Sequence, residues 1–126
     1  MKEIAEKLVQ VEQKITQEKG SFNLFALFLR EDAPDVWDLV VAAPWISKNK
    51  EKSIKYIAEK IKKALRPQEI IKLSRIVVIE QDSPALKALQ RAIHIEHGMT
   101  EVQNSVFFGL PIKHAYIITS VRNKIS

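Results

Sequence analysis

Apolar residues recur along this chain at spacings that alternate between helical and strand-like periods. Ile4, Leu8, Val11 and Ile15 are four, three and four positions apart, with charged residues and glutamines between them. This spacing predicts an amphipathic helix that ends near Gly20. Its apolar stripe is narrow, so the helix packs on a sheet within the chain or against the same helix of a second subunit.

The next two segments have the pattern of strands. Residues 22–29 are apolar on both alternating phases, which predicts a central strand that is covered on both faces. Turn-forming residues at 31–35 separate this strand from a second predicted strand over residues 36–43. Because the connection is short, we expect the two strands to form an antiparallel hairpin.

A highly charged helix is predicted over residues 48–66. Its apolar stripe at helical spacing consists of Ile54, Ile57, Ala58, Ile61 and Leu65. We expect Ser47 to cap the N-terminus of this helix and Pro67 to end it.

The rest of the chain adds three strands and one helix. Residues 73–80 are rich in Ile and Val and predict a strand parallel to the second one, reached through a right-handed crossover. A short helix is expected to start at Ser83, and two alternating strands over 102–108 and 112–121 surround Gly109. The predicted order is helix-strand-strand-helix-strand-helix-strand-strand. The fold class is α/β, with α+β possible, as a single domain over residues 1–126 with a mixed sheet of about five strands.

Composition excludes several classes of protein. The 126 residues are 46% apolar and 28% charged, which is typical of a globular domain. The absence of cysteine excludes disulfides, thiolate nucleophiles and cysteine-ligated metals, and favours a cytoplasmic location. No apolar run approaches the roughly 18 residues of a membrane span, so no membrane partner is expected. Glycine occurs only at positions 20, 98 and 109, which excludes a P-loop and a dinucleotide fingerprint.

Positive charge is concentrated in the helix predicted over residues 48–66. The formal net charge of the chain is +5, and this helix alone holds eight basic residues against two glutamates. The side opposite the apolar stripe carries Lys48, Lys52, Lys55, Lys62, Lys63 and Arg66. This side binds an anionic partner, or it only solubilises the surface through pairs of Glu51 with Lys55 and Glu59 with Lys63.

Three lysines occupy positions where a helix disfavours positive charge. Lys48, Lys50 and Lys52 come at the positive end of the predicted helix dipole, where each costs up to about 0.3–1 kcal/mol. Free backbone N–H groups, the dipole and the lysines together favour phosphate or carboxylate. Anion binding therefore accounts for these positions better than stability does.

The predicted parallel strands place two loops at the same edge of the sheet. Residues 47–50 and 81–83 follow the carboxyl ends of these strands, where ligands of α/β folds usually bind. Trp45 is then an apolar or stacking wall beside the site, or alternatively a core residue. Ser47 and Ser83 belong to the site, or they are ordinary helix caps.

Two polar residues interrupt apolar phases of the predicted strands. Asp38 lies between Val36 and Val40, and His114 lies between Ile112 and Tyr116. A buried Asp–His pair is one interpretation, because such a pair orients an imidazole base in enzymes. The favoured interpretation is that Asp38 faces water or bonds to backbone or to Arg75, and that His114 is a satisfied core histidine.

Two further clusters raise the question of metal binding. Asp38, Glu80 and Asp82 on adjacent predicted strands suggest a magnesium-dependent phosphoesterase, with Lys48 or Lys50 on the substrate. Residues 94–97, with two histidines and a glutamate, do not match the His-Glu-x-x-His motif and predict a polar loop. Both metal sites are alternatives to the favoured interpretation, in which we expect no metal site and no cofactor.

Three functions are compatible with the sequence. The favoured one is a non-enzymatic binding module whose basic helix contacts an anionic partner, either a nucleic acid backbone or an acidic protein. The first alternative is a metal-dependent phosphoesterase that uses Asp38, Glu80 and Asp82, with His114 as a further candidate. The second is a homodimer that uses the stripe of residues 4–15 or an exposed strand of the C-terminal hairpin.

Overall fold

The structure is a computed structural model that describes residues 1–122. The strands are β1 Leu24–Arg30, β2 Trp37–Ala42, β3 Leu73–Val78, β4 Thr100–Phe107 and β5 Leu110–Ser120. The helices are α1 Lys2–Lys19, α2 Pro44–Lys48, α3 Lys50–Ala64, α4 Pro67–Ile70 and α5 Pro84–Ala92. The predicted order of elements is confirmed, with the short helices α2 and α4 added on either side of α3.

The five strands form one mixed sheet in the order β3-β2-β1-β5-β4. β2 and β3 run parallel, and the other neighbouring strands are antiparallel. The predicted hairpin and the predicted parallel crossover are both confirmed. The fold belongs to the α+β class, since a single parallel pair lies at one side of an otherwise antiparallel sheet.

β1 occupies the centre of the sheet and is covered on both faces. Phe25 and Leu27 point into one apolar core, and Leu24 and Ala26 point into a second core on the opposite face. All four residues are fully buried. The lack of alternation in this segment therefore predicted its position correctly.

Helices α1 and α3 cover one face of the sheet, and α5 covers the other. The apolar stripes of α1 and α3 join the core that contains Phe25. Leu86 and Leu89 of α5 join the core that contains Leu24. Because the stripe of α1 is buried inside the domain, it leaves no seam on α1 for a second subunit. None of the helices in residues 1–122 combines the length and the apolar character that crossing a bilayer demands.

The basic stretch is divided between two helices, which corrects its predicted boundaries. Lys48 ends α2, and α3 begins at Lys50. The cap of α3 is Asn49, whose side chain accepts a hydrogen bond from the Lys52 N–H at 3.2 Å. The prediction that Ser47 caps the basic helix is wrong, because this residue lies inside α2. An Asn side chain at the cap satisfies a backbone N–H that would otherwise lack a partner.

Proline and serine set the starts of the other short helices. Pro67 occupies the first position of α4, whereas α3 has already ended at Ala64. Ser83 caps α5, as predicted, by accepting a hydrogen bond from the Leu86 N–H at 3.3 Å. Proline suits the first helical position because no hydrogen bond is needed from its nitrogen there.

A buried carboxylate fastens α1 to the sheet. Glu12 is fully buried, and its Oε2 accepts a hydrogen bond from the Thr119 hydroxyl at 2.6 Å. Its Oε1 lies 2.5 Å from Nδ1 of His97. His97 has the unusual φ of 54°, and its backbone N–H donates to Thr119 Oγ1 at 3.2 Å. One carboxylate thus joins α1, the loop before β4 and the end of β5.

Replacing Glu12 with Ala is expected to lower the free energy of unfolding by about 2–4 kcal/mol, because both partners of the carboxylate lose their contact. The control Glu6→Ala removes an exposed carboxylate from the same helix and should change this free energy by less than about 0.5 kcal/mol. Urea unfolding of both variants measures the difference. Equal effects of the two substitutions would contradict the fastening role.

Candidate anion-binding surface

The outer side of α3 carries four exposed lysines, here called the lysine face and comprising Lys52, Lys55, Lys62 and Lys63. Within residues 1–122, none of the four forms an ion pair. The predicted pairs with Glu51 and Glu59 therefore do not form, although both carboxylates are near in sequence. The positive charge of the lysine face is left to solvent or to a ligand.

The other basic residues of this stretch flank the lysine face. Lys48 and Lys50 are exposed at the junction of α2 and α3. Arg66 follows α3, and its Nε lies 3.5 Å from Oε1 of Glu69. Lys48 sits in the last turn of α2, so the predicted dipole penalty applies only to Lys50 and Lys52.

A cluster at the middle of α3 fixes one lysine and the only tyrosine of the helix. Nζ of Lys60 lies 2.5 Å from Oε1 of Glu18, and the Tyr56 hydroxyl donates to the same carboxylate at 3.0 Å. These hydrogen bonds, first from Lys60 and then from Tyr56, lower the pKa of Glu18. The contact with Glu18 also raises the pKa of Lys60. Tyr56 is therefore bound within the protein rather than displayed for stacking.

A groove of about 470 Å³ runs between α1 and α3, and we name it the lysine groove. It is lined by Lys7, Gln10, Val11, Lys14, Lys60, Lys63 and Ala64. Four of these residues are lysines and none is acidic. The groove extends the positive surface from the lysine face onto α1.

One end of the lysine groove is anchored by Glu69. This carboxylate has only 7% of its side chain exposed, and its Oε1 lies 2.8 Å from Nζ of Lys7. It also accepts a hydrogen bond from the Arg66 N–H at 2.9 Å. The hydrogen bond from Lys7 and then that from the Arg66 backbone lower the pKa of Glu69 to about 2. Glu69 is thus ionised at neutral pH and neutralises Lys7.

Two shallow hollows lie at the carboxyl edge of β2 and β3. The first, of about 340 Å³, includes Trp45 and Lys48, and the second, of about 450 Å³, includes Gln81 and Asp82. Both hollows share Asn23 and Arg122. Lys48 and Asp82 line different hollows at this edge, and neither Ser47 nor Ser83 lines either of the two.

Trp45 is a wall held in place by packing. Its indole N–H donates to the carbonyl oxygen of Gly20 at 3.2 Å. Its ring meets Phe22 edge-on with the ring centroids 5.4 Å apart. The half-buried indole is thus part of the core boundary and borders the first hollow with one side.

Asp38 and His114 lie on opposite faces of the sheet. Asp38 pairs with Phe28 and His114 with Leu29, and neighbouring residues of β1 point in opposite directions. The Asp–His pair considered from the sequence is therefore not formed. Asp38 is buried, with Nε of Arg30 at 3.1 Å and Nε of Arg75 at 3.3 Å. The predicted contact with Arg75 is confirmed.

His114 has its own partners. Its ring centroid lies 4.7 Å from that of Tyr116 and 5.3 Å from that of Trp37, and its Nε2 lies 2.5 Å from Oε2 of Glu101. These contacts agree with the interpretation of a satisfied histidine, but the side chain is 23% exposed, so His114 is not a core residue as predicted. They leave no role for His114 beside Asp38.

The three carboxylates of the phosphoesterase hypothesis do not converge. Asp38 is in register with Arg75 of the parallel strand β3, and Glu80 lies five residues further along that strand direction. Five extended residues span roughly 16 Å. No group of three or more His, Asp or Glu side chains within residues 1–122 is placed to hold a metal ion. This includes residues 94–97, where His97 instead contacts Glu12.

Comparisons of the chain with protein-family models, with curated proteins and with solved structures found no match. The lysine face carries four exposed lysines without ion pairs within residues 1–122, and the lysine groove adds Lys14 to them.

Sequence reasoning missed the contribution of α1. Lys7 and Lys14 are seven positions apart on α1, so they share a side of that helix. The sequence shows this spacing, but it does not show that α3 packs beside α1 and forms the groove. Glu12 was also missed, although its spacing from Leu8 and Ile15 places it on the buried stripe of α1.

The ion pair of Glu69 gives the stability of the protein an acid-dependent component. Because the folded pKa, about 2, lies below the ordinary value of 4.5, Glu69 contributes stability that is fully present above about pH 4.5. This contribution is lost as the pH falls towards 2. Glu69→Gln should therefore destabilise the protein at pH 7, and the difference from wild type should shrink towards pH 2. Thermal unfolding of both proteins between pH 2 and 7 measures this difference in stability.

The control for this titration is Glu6→Gln, which changes an exposed carboxylate that makes no ion pair within residues 1–122. A constant difference between Glu69→Gln and wild type over the whole pH range would show that the carboxylate charge of Glu69 does not stabilise the fold.

Proposed function

We propose that this protein is a binding module that contacts the sugar–phosphate backbone of nucleic acid through the lysine face. The main support for this proposal is the set of exposed lysines on the outer side of α3, none of which forms an ion pair within residues 1–122. A lysine that neutralises a phosphate releases a condensed counterion, and this release supplies most of the free energy of non-specific binding.

The composition of the surface favours nucleic acid over an acidic protein. Protein interfaces are depleted in lysine and depend on buried apolar or aromatic anchors. Apart from the small Ala64, the apolar residues of α3 are already buried or half-buried against the domain, so the lysine face offers no such anchor. Phosphate contacts need only accessible positive charge.

The aromatic residues near this surface favour contact with the backbone over base stacking. Tyr56 is bonded to Glu18 and lies beside Nζ of Lys19 and Lys60, at 4.9 Å and 5.4 Å from the ring centroid. Trp45 is held by Gly20 and Phe22. Proteins that bind single strands stack the bases on exposed aromatic rings, and neither of these rings is free for such stacking. We therefore expect little dependence on nucleotide sequence.

The double variant Lys55→Ala, Lys62→Ala tests the proposal directly. It should weaken binding of a labelled 20-base-pair DNA duplex by roughly ten- to a hundredfold at 0.1 M salt. It should also reduce the slope of log affinity against log salt by about 1.8, because two phosphate contacts are lost. Fluorescence anisotropy at several salt concentrations measures both quantities.

A matched control removes two positive charges from the other side of the sheet. Lys87 and Arg91 are exposed on α5, which packs on the opposite face from α3. Lys87→Ala with Arg91→Ala should change the affinity by less than about threefold. Equal losses in the two double variants, or equally tight binding of poly-glutamate, would contradict the proposed nucleic acid interface.

A further test uses a variant that should bind more tightly. A variant that fails to fold would bind more weakly, so loss of folding cannot explain a gain of affinity. Glu59 lies four residues from Lys55 and from Lys63, in the middle of the lysine face. Glu59→Gln removes a charge that repels phosphate, so binding of the same duplex should become about twofold tighter. Unchanged or weaker binding would argue against the lysine face as the contact surface.

A further inference from the structure

The lysine groove contains two kinds of lysine. Lys7 is paired with Glu69 and Lys60 with Glu18, with both nitrogen–oxygen distances at 2.8 Å or less. Lys14 and Lys63 are exposed and form no ion pair in the part of the chain that the structure describes. The groove therefore has two lysines held in ion pairs and two that form none, although the charge of Lys14 also acts on Glu18 from a longer distance.

The two unpaired lysines come from opposite walls of one groove. Lys14 belongs to α1 and Lys63 to α3, and the groove between these helices contains no acidic residue. Like charges that share a concave site repel one another, and the surrounding protein focuses their field. An anion with several oxygen atoms relieves this repulsion best when it accepts hydrogen bonds from both ammonium groups.

We propose that the lysine groove holds one phosphate of the bound nucleic acid, with Lys14 and Lys63 as two ligands of that same phosphate. Lys7 and Lys60, fixed by their carboxylates, frame the site. This inference rests on the proposed function, and it adds α1 to the nucleic acid interface. The outer lysines Lys55 and Lys62 then contact neighbouring phosphates of the same backbone.

The salt dependence of binding distinguishes a shared phosphate from two separate ones. The slope of log affinity against log salt is proportional to the number of phosphates that the protein neutralises. If one phosphate is shared, Lys14→Ala and Lys63→Ala each weaken duplex binding but leave the slope nearly unchanged, since the remaining lysine still neutralises it. The double variant should lose about 0.9 from the slope and roughly tenfold in affinity at 0.1 M salt.

The outcomes separate the two proposals. If the slope of log affinity against log salt falls by about 0.9 in each single variant and by about 1.8 in the double variant, the two lysines contact different phosphates. The shared site is then wrong. If the double variant binds like wild type while Lys55→Ala with Lys62→Ala binds weakly, the inference about the groove fails and the lysine face stands. If wild-type protein does not bind the duplex even at low salt, the proposed function fails, and the inference fails with it.

A second measurement controls for loss of folding. Lys14 and Lys63 are exposed side chains without ion pairs, so both single variants and the double variant should unfold within about 3 °C of wild type. A larger drop in unfolding temperature in the double variant would show that the two lysines support the fold, which would overturn their assignment as phosphate ligands.

Discussion

The structure depends on the burial of β1 on both faces. Every residue from Leu24 to Phe28 is at most 4% exposed, so the sheet needs a cover on each side. α5 supplies one cover with two leucines, and α1 and α3 supply the other with their apolar stripes. Burial of each large apolar side chain contributes roughly 1.5–3 kcal/mol to the free energy of unfolding. The covered sheet is therefore the dominant source of stability.

This constraint determines where the charge of the protein lies. Because the isoleucines of α3 are needed against the sheet, the lysines between them have to face outwards. α1 packs beside α3 for the same reason, and the contact between the two helices produces the lysine groove. Glu18 and Glu69 neutralise part of this surface, and the remainder is available to an anionic ligand. The proposed interface is therefore a consequence of how the core is covered.

Much of the fold could be predicted from the sequence, because apolar periodicity reports burial directly. The apolar run of residues 24–29 indicated a central strand, and the strand–helix–strand order indicated the parallel pair. The cap at Asn49 was not predicted, because Ser47 and Asn49 are both good caps and only the backbone decides between them. The groove and the contact of Glu12 with His97 depend on residues far apart in sequence, so local patterns could not indicate them. The same is true of the separation of Asp38 from Glu80, which follows from the register of β2 and β3.

In the proposed complex, the side of the domain formed by α1 and α3 faces the nucleic acid. An NMR titration of isotope-labelled protein with a short DNA duplex at low salt tests this arrangement, because it reports every backbone amide at once. We expect chemical-shift changes to concentrate on α1 near Lys14 and on the outer side of α3, with little change on α5 and on β4. Changes that concentrate on α5 or on β4, or no changes at all, would contradict this arrangement.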